Sequence, residues 1–173
     1  MLTTDTTGTL RFGLAECSLG ALAIGTTDKG IRAILLGDTA ASVTRELLDR
    51  FPETRPAAAA DRDFRSLMDR VVALVEAPGS GCDLPLDPQG TVFQRRVWEA
   101  LRQVPPGTTV SYSEIARRLG APKEALLVGE ACAANTIAVA IPCHRVVRKD
   151  GSLGGYRWGL RRKRALLERE AAV

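Results

Sequence analysis

A cysteine followed directly by a histidine, Cys143 and His144, lies in the stretch TIAVAIPCHRVV, with Pro142 before the pair and Arg145 after it. A thiol is a strong nucleophile only as the thiolate, and a nearby imidazole can take its proton. His144 is the only histidine in the chain, so any imidazole-assisted step must use it. The surrounding β-branched run has strand character, and successive residues of a strand point to opposite faces. Contact between the two side chains therefore requires a bend at Pro142 or a bridging water. A third group, such as a carboxylate from elsewhere in the chain, would have to orient the ring. Adjacency alone leaves both a catalytic pair and an inert core pair open. Burying a thiol, an imidazole and a guanidinium beside an apolar strand is costly unless each finds a partner, which favours function.

The other cysteines, Cys17, Cys82 and Cys132, are far apart in sequence and form no CxxC pair. No zinc ribbon or disulfide framework is indicated; each is expected to be a free thiol used as a small core residue. No set of His, Cys and carboxylates has metal-ligand spacing, so neither metal nor cofactor is expected.

Elements that could position the pair follow from periodicity. LRFGLAEC, ALAIGT and IRAILLG, separated by SLG and TDKG, predict an antiparallel meander. Apolar spacing predicts helices over Ala40 to Phe51 and Asp63 to Glu76, packed on one sheet face. RPAAAAD between them has no pattern. APGSGCDLPLDPQG is rich in Gly and Pro and reads as a linker, dividing the chain into residues 1–88 and 89–173. Beyond it, Thr91 to Val104 reads as a helix ended by PPG. SYSEIARRLG reads as a second helix with a serine capping box, and a third runs from about Glu124 to Ala134. Two short helices around a Gly-containing turn match a helix-turn-helix. The fold class is thus α/β, an N-terminal antiparallel sheet with helices followed by a mostly helical C-terminal domain.

Charge is unevenly divided. Residues 1–90 carry nine basic and thirteen acidic side chains, net −4, whereas residues 91–173 carry fifteen and seven, net +8. The basic half is the candidate polyanion binder. No apolar run approaches the roughly 20 residues of a membrane span. The opening MLTTDTTGTLRFG has neither a basic nor an apolar signal region, so a cytoplasmic location is expected.

The segment CAANTIAVAIPCHRVVRKDGSLGGYRWGLRRKRALLERE closely resembles the O6-alkylguanine-DNA alkyltransferases (methylated-DNA–protein-cysteine methyltransferases), above all the alkyltransferase half of bacterial Ada proteins. IPCHRVV with a preceding Asn and a following GxLxGYRWG is a long and specific motif. The similarity extends back through VFQRRVWEALRQVPPGTTVSYSEIARRLGAPK, and more loosely into ECSLGALAIGTTDKGIRAILLGD.

The resemblance implies a repair protein that flips an O6-alkylguanine out of double-stranded DNA and moves the alkyl group irreversibly to its own Cys143. It implies that His144 reaches the thiol through a water and that Glu170 holds the other ring nitrogen. Asn135 would brace the turn. Tyr112 would press on the phosphate beside the flipped nucleotide and serve as proton donor to the departing guanine. Tyr156 and the backbone around Arg157 and Trp158 would line the base pocket, with Arg145 and Lys123 as further DNA contacts. The helix near Lys123 to Ala134 would lie in the minor groove. Relatives read PKxxRAV there and insert the arginine into the duplex; here PKEALLV puts Leu126 at that position. No obligate protein partner is implied. Two other readings are a non-enzymatic lesion-binding relative, which would lack the acceptor cysteine, and a transcription regulator, which would not depend on Cys143.

Overall fold

The computed structural model describes residues 9–172; most of the opening segment read for a signal lies outside them. Strands β1 (Arg11–Cys17), β2 (Gly20–Thr27) and β3 (Gly30–Gly37) form the meander, with Leu14 opposite Ala23 and Ile24 opposite Ile34. The patternless RPAAAAD supplies a short fourth strand, β4 (Arg55–Pro56), parallel to β1, giving the order β3-β2-β1-β4. Strand β4 has only two residues, too short for any period to show.

Helix α1 (Ala40–Arg50) is started by a Thr39 and Ser42 capping box, and α2 (Arg62–Glu76) by the Asp61 carboxylate. Both lie close to the predicted bounds. Strand β3 is buried along nearly its whole length because its outer edge is also paired. Ile31 N–H donates to Pro85 O at 2.9 Å, and Ile34 N–H to Thr136 O at 2.9 Å. The linker and the segment leading to Cys143 thus both dock on the same sheet edge, and a buried edge left without such partners would be costly. One hydrophobic cluster runs from Leu22, Ile24 and Ile34 to Val97, Leu101 and Ile137.

In the second half, α3 (Val92–Arg102) begins at a Thr91 and Gln94 capping box and stops before Pro105 and Pro106. Trp98 Nε1–H donates to Ala131 O at 2.8 Å, tying α3 to α5 (Ala125–Ala134). Strand β5 (Val110–Ser111) leads into α4 (Tyr112–Arg118). Ser111 caps α4 by accepting from Glu114 N–H at 3.0 Å, but the Glu114 carboxylate pairs with Arg117 and Arg118 and leaves the capping box half made. Strand β6 (Val146–Val147) pairs parallel with β5, and α6 (Leu160–Ala171) closes the fold. None of the described helices is long and apolar enough to cross a membrane.

Candidate active site

Only the ends of TIAVAIPCHRVV pair as strand, Ile137 in a bridge to Ile34 and Val146–Val147 as β6; the continuous strand expected through Cys143 does not form. Residues 138–141 turn instead, with Val139 at φ 68° and Ala140 N–H donating to Ala138 O at 2.7 Å. A β-branched residue in that region is strained and persists only where its surroundings force it. Asn135, 1% exposed, supplies the force. Its Oδ1 accepts from Ile137 N–H at 2.9 Å, and its Nδ2 donates to Ile137 O at 3.3 Å and to Ile141 O at 3.1 Å. Pro142 then bends the chain at φ −82°, ψ 61°, an inverse γ-turn closed by Cys143 N–H to Ile141 O at 2.8 Å.

Cys143–Arg145 follow as one 3-10 turn. At three residues per turn, consecutive side chains fan out by roughly 120°, so neighbours in sequence serve different surroundings. The Cys143 sulfur accepts from Asn135 Nδ2 at 3.3 Å and lies on the wall of a cavity of about 260 Å³. Tyr112, Cys132, Tyr156 and Arg157 line the same cavity, with Gly129 and Gly155. A slightly larger cavity, about 290 Å³, lies against Pro142 and Arg145 but does not reach Cys143.

His144 is fully buried, and its Nε2 lies 2.6 Å from Glu170 Oε1. Burial alone would raise the Glu170 pKa, but hydrogen bonds from His144 and Arg145 outweigh it and hold the carboxyl below its ordinary value. An ionised carboxylate only accepts, so Nε2 carries the ring proton and Nδ1 keeps the lone pair. Nδ1 has no protein partner. Burial is also the main cause of a lowered His144 pKa, so the ring is neutral at rest.

Arg145, expected against DNA, is turned inward. Its Nε and Nη2 donate to Glu170 at 3.0 and 2.7 Å, and its Nη1 donates to Val104 O at 2.7 Å. Nearly buried in this way, the guanidinium compensates the Glu170 charge and is not available to a phosphate.

The parallel β5–β6 ladder, Val110 opposite Val146 and Ser111 opposite Val147, sets Tyr112 level with Arg148, and Tyr112 meets Cys143 across the cavity that both line. A Cβ on Gly154, at φ 69°, would stand 3.1 Å from the Tyr112 hydroxyl, so a side chain there would crowd that oxygen. Burial first, and the nearby cysteines second, raise the Tyr112 pKa. Tyr156 presents a buried hydroxyl without a protein partner, its ring 5.4 Å from that of Trp158. Trp158 is itself buried and is not among the residues that line the cavity. Lys123 and Leu126 are exposed at the start of α5, Leu126 at 77%.

Two participants escape a reading of periodicity. Cys132, taken for an inert core thiol, faces the same cavity; its thiol beside Cys143, together with burial, pushes the Cys143 thiol well above its ordinary pKa. Lys163, fully buried on α6, donates from Nζ to Val146 O at 2.6 Å, to Gly155 O at 3.0 Å and to Leu153 O. It straps the segment after Cys143 to the loop lining the cavity. The buried stripe of α6 is Lys163, Leu166 and Glu170, helical in spacing but mostly charged, which an apolar periodicity cannot flag.

A family described as "6-O-methylguanine DNA methyltransferase, DNA binding domain" matches residues 92–172. The bifunctional transcriptional activator/DNA repair enzyme Ada of Escherichia coli K12 is 48% identical over 162 residues, 94% of this chain and 46% of that protein. Among solved structures, Mycobacterium tuberculosis OGT in complex with DNA superposes with a TM-score of 0.77 at 34% identity, covering 94% of this chain and 93% of that one. The chain belongs to the O6-alkylguanine-DNA alkyltransferase family. A methylated-DNA–protein-cysteine methyltransferase of M. tuberculosis H37Rv is 48% identical over 107 residues, 62% of this chain and 65% of that protein. The chain therefore spans about half the length of the Ada proteins it matches and just under two thirds of the mycobacterial ones.

Proposed function

We propose that this alkyltransferase-family chain repairs DNA by moving the alkyl group of O6-alkylguanine to its own Cys143. The observation that carries the reading is Cys143 on a cavity wall, followed in the same turn by a buried His144 held by Glu170. The resting thiol is protonated, so attack needs a base. His144 Nδ1 takes the proton through a bridging water while Glu170 stabilises the imidazolium that forms. The thiolate then attacks the alkyl carbon; the S–C bond forms as the C–O6 bond breaks. Tyr112 donates a proton to the departing guanine, and the proton held by His144 returns to the tyrosinate through solvent. The product is a thioether, which no ordinary hydrolysis reopens, so each molecule acts once.

A base stacked in a duplex cannot reach this cavity and must be flipped, at a cost of a few kcal/mol. The α4–turn–α5 unit, read as a helix-turn-helix, and the basic second half supply the contacts, with α5 in the minor groove and Lys123 toward the phosphates. Leu126 stands where relatives have an inserted arginine. Exposed as it is, it is free to act as an apolar wedge, but it cannot hydrogen-bond the orphaned base, and the exposed Glu124 nearby repels phosphate. Duplex lesions are accordingly bound and flipped poorly, although the thiol itself is competent.

Titration of the protein with a duplex carrying labelled O6-methylguanine tests the reading. Transfer should stop at one methyl per molecule, and Cys143→Ala should transfer none while still binding the lesion. Continued turnover, or transfer by Cys143→Ala, contradicts it. A non-enzymatic lesion binder would bind equally well with and without the thiol and transfer nothing.

A further inference from the structure

Arg157 forms part of the cavity wall, yet one of the three groups that hold it comes from outside the second half of the chain. Its Nη2 and Nε donate to Glu46 Oε1 at 2.8 and 3.3 Å, its Nη1 donates to Ala133 O at 3.1 Å, and its guanidinium lies 5.6 Å over the Trp158 ring. The Arg157 side chain is only 10% exposed, whereas that of Glu46 is 33% exposed. Glu46 lies on α1, 111 positions away in sequence and in the half of the molecule that contributes no residue to the cavity lining. An arginine fixed on three sides is a rigid wall, because its planar fork loses little freedom once each arm is bound. With the Glu46 arm released, only one carbonyl and one ring face would hold it.

We propose that Glu46 is a positioning residue: by anchoring Arg157 it fixes one wall of the alkyl-acceptor cavity, so that the N-terminal half sets which alkyl groups the site accepts. The inference rests on the alkyl-transfer reading. A fixed wall limits the room beside the Cys143 sulfur and discriminates against bulky groups; a loosened wall retreats and tolerates them. The anchor is partly exposed, so its worth is that of a modest ion pair, and the selectivity change should be correspondingly modest.

The test compares single-turnover rates on O6-methylguanine and O6-butylguanine, each in the same single-stranded oligonucleotide so that no flipping intervenes. Glu46→Gln keeps the shape of the side chain and should raise the butyl-to-methyl rate ratio by about threefold or more. Arg157→Gln should raise it similarly, and the double variant should add little further, since both changes break one contact. A merely structural effect would slow both substrates together and leave the ratio alone. Melting temperatures of all variants check that each is folded, and the more disruptive Glu46→Ala should reproduce the Glu46→Gln ratio. A wild-type protein that transfers methyl while Glu46→Gln leaves the ratio unchanged overturns the role of Glu46 alone. Additive effects of the two single changes overturn it as well. A wild-type protein inert to both oligonucleotides overturns the alkyl-transfer reading and this inference with it.

Discussion

His144 Nε2 and Glu170 Oε1 stand 2.6 Å apart with both side chains at 0% exposure, and Arg145 Nη2 closes on the same oxygen at 2.7 Å. One carboxylate thus orients the imidazole and neutralises the guanidinium. Glu170→Gln should slow transfer about 10- to 100-fold, the usual cost of losing a group that orients a reacting histidine. It should also cost about 3–5 kcal/mol of stability, because Arg145 would be left buried without its counter-charge. Single-turnover rates and denaturant melts check both; an unchanged rate in a folded variant removes Glu170 from the mechanism.

The same group predicts an acid sensitivity. The His144 pKa is lowered from its ordinary 6.5, chiefly by burial, so between 6.5 and its folded value the unfolded chain binds a proton that the native ring does not. Stability therefore falls with pH below about 6.5. Glu170 is held below its ordinary 4.5, so its contribution is present above 4.5 and is lost as pH falls through its folded value. Melting temperatures from about pH 8 to about pH 3 should decline in these two windows. The transfer rate should stay level through pH 6.5 and drop only below it; a rate that halves at 6.5 contradicts a neutral, buried His144.

Cys132, on the same cavity wall, raises the Cys143 pKa, so its removal should have a defined sign. In Cys132→Ala the pH midpoint for modification of Cys143 by iodoacetamide should move down. The midpoint separates this effect from any gain in access, which would change only the plateau rate. An unmoved or raised midpoint contradicts the coupling of the two thiols.

Much of this architecture is legible in the sequence. Thr91 and Ser111 announce α3 and α4 because caps act locally, and the meander follows from its turns. The turn that carries Cys143 is not legible from propensity. Ile137, Val139 and Ile141 favour a strand, and only hydrogen bonds from Asn135 and the bend at Pro142 override that preference. Arg145 reads as a DNA contact because nothing local reveals that Glu170, 25 residues on, claims it. Lys163 and Glu46 are hidden for the same reason: each acts on groups distant in sequence, and neither lies in an apolar pattern.

Leu126, 77% exposed at the start of α5, makes duplex repair a separate variable from chemistry. Leu126→Arg should speed repair of duplex O6-methylguanine by roughly fivefold or more, through charge toward the phosphates and contact with the orphaned base. Reaction with free O6-methylguanine, which needs no flipping, should be unaffected. An unchanged duplex rate, or equal changes in both rates, contradicts the role assigned to this position.

The central claim is that Cys143 itself accepts the alkyl group. Incubation with excess duplex containing O6-methylguanine, followed by proteolysis and peptide mass spectrometry, tests it directly. The peptide containing Cys143 should carry a single methyl group, with those containing Cys17, Cys82 and Cys132 unmodified. An unmodified Cys143 after complete incubation, or a methyl group on a different cysteine, would contradict the account.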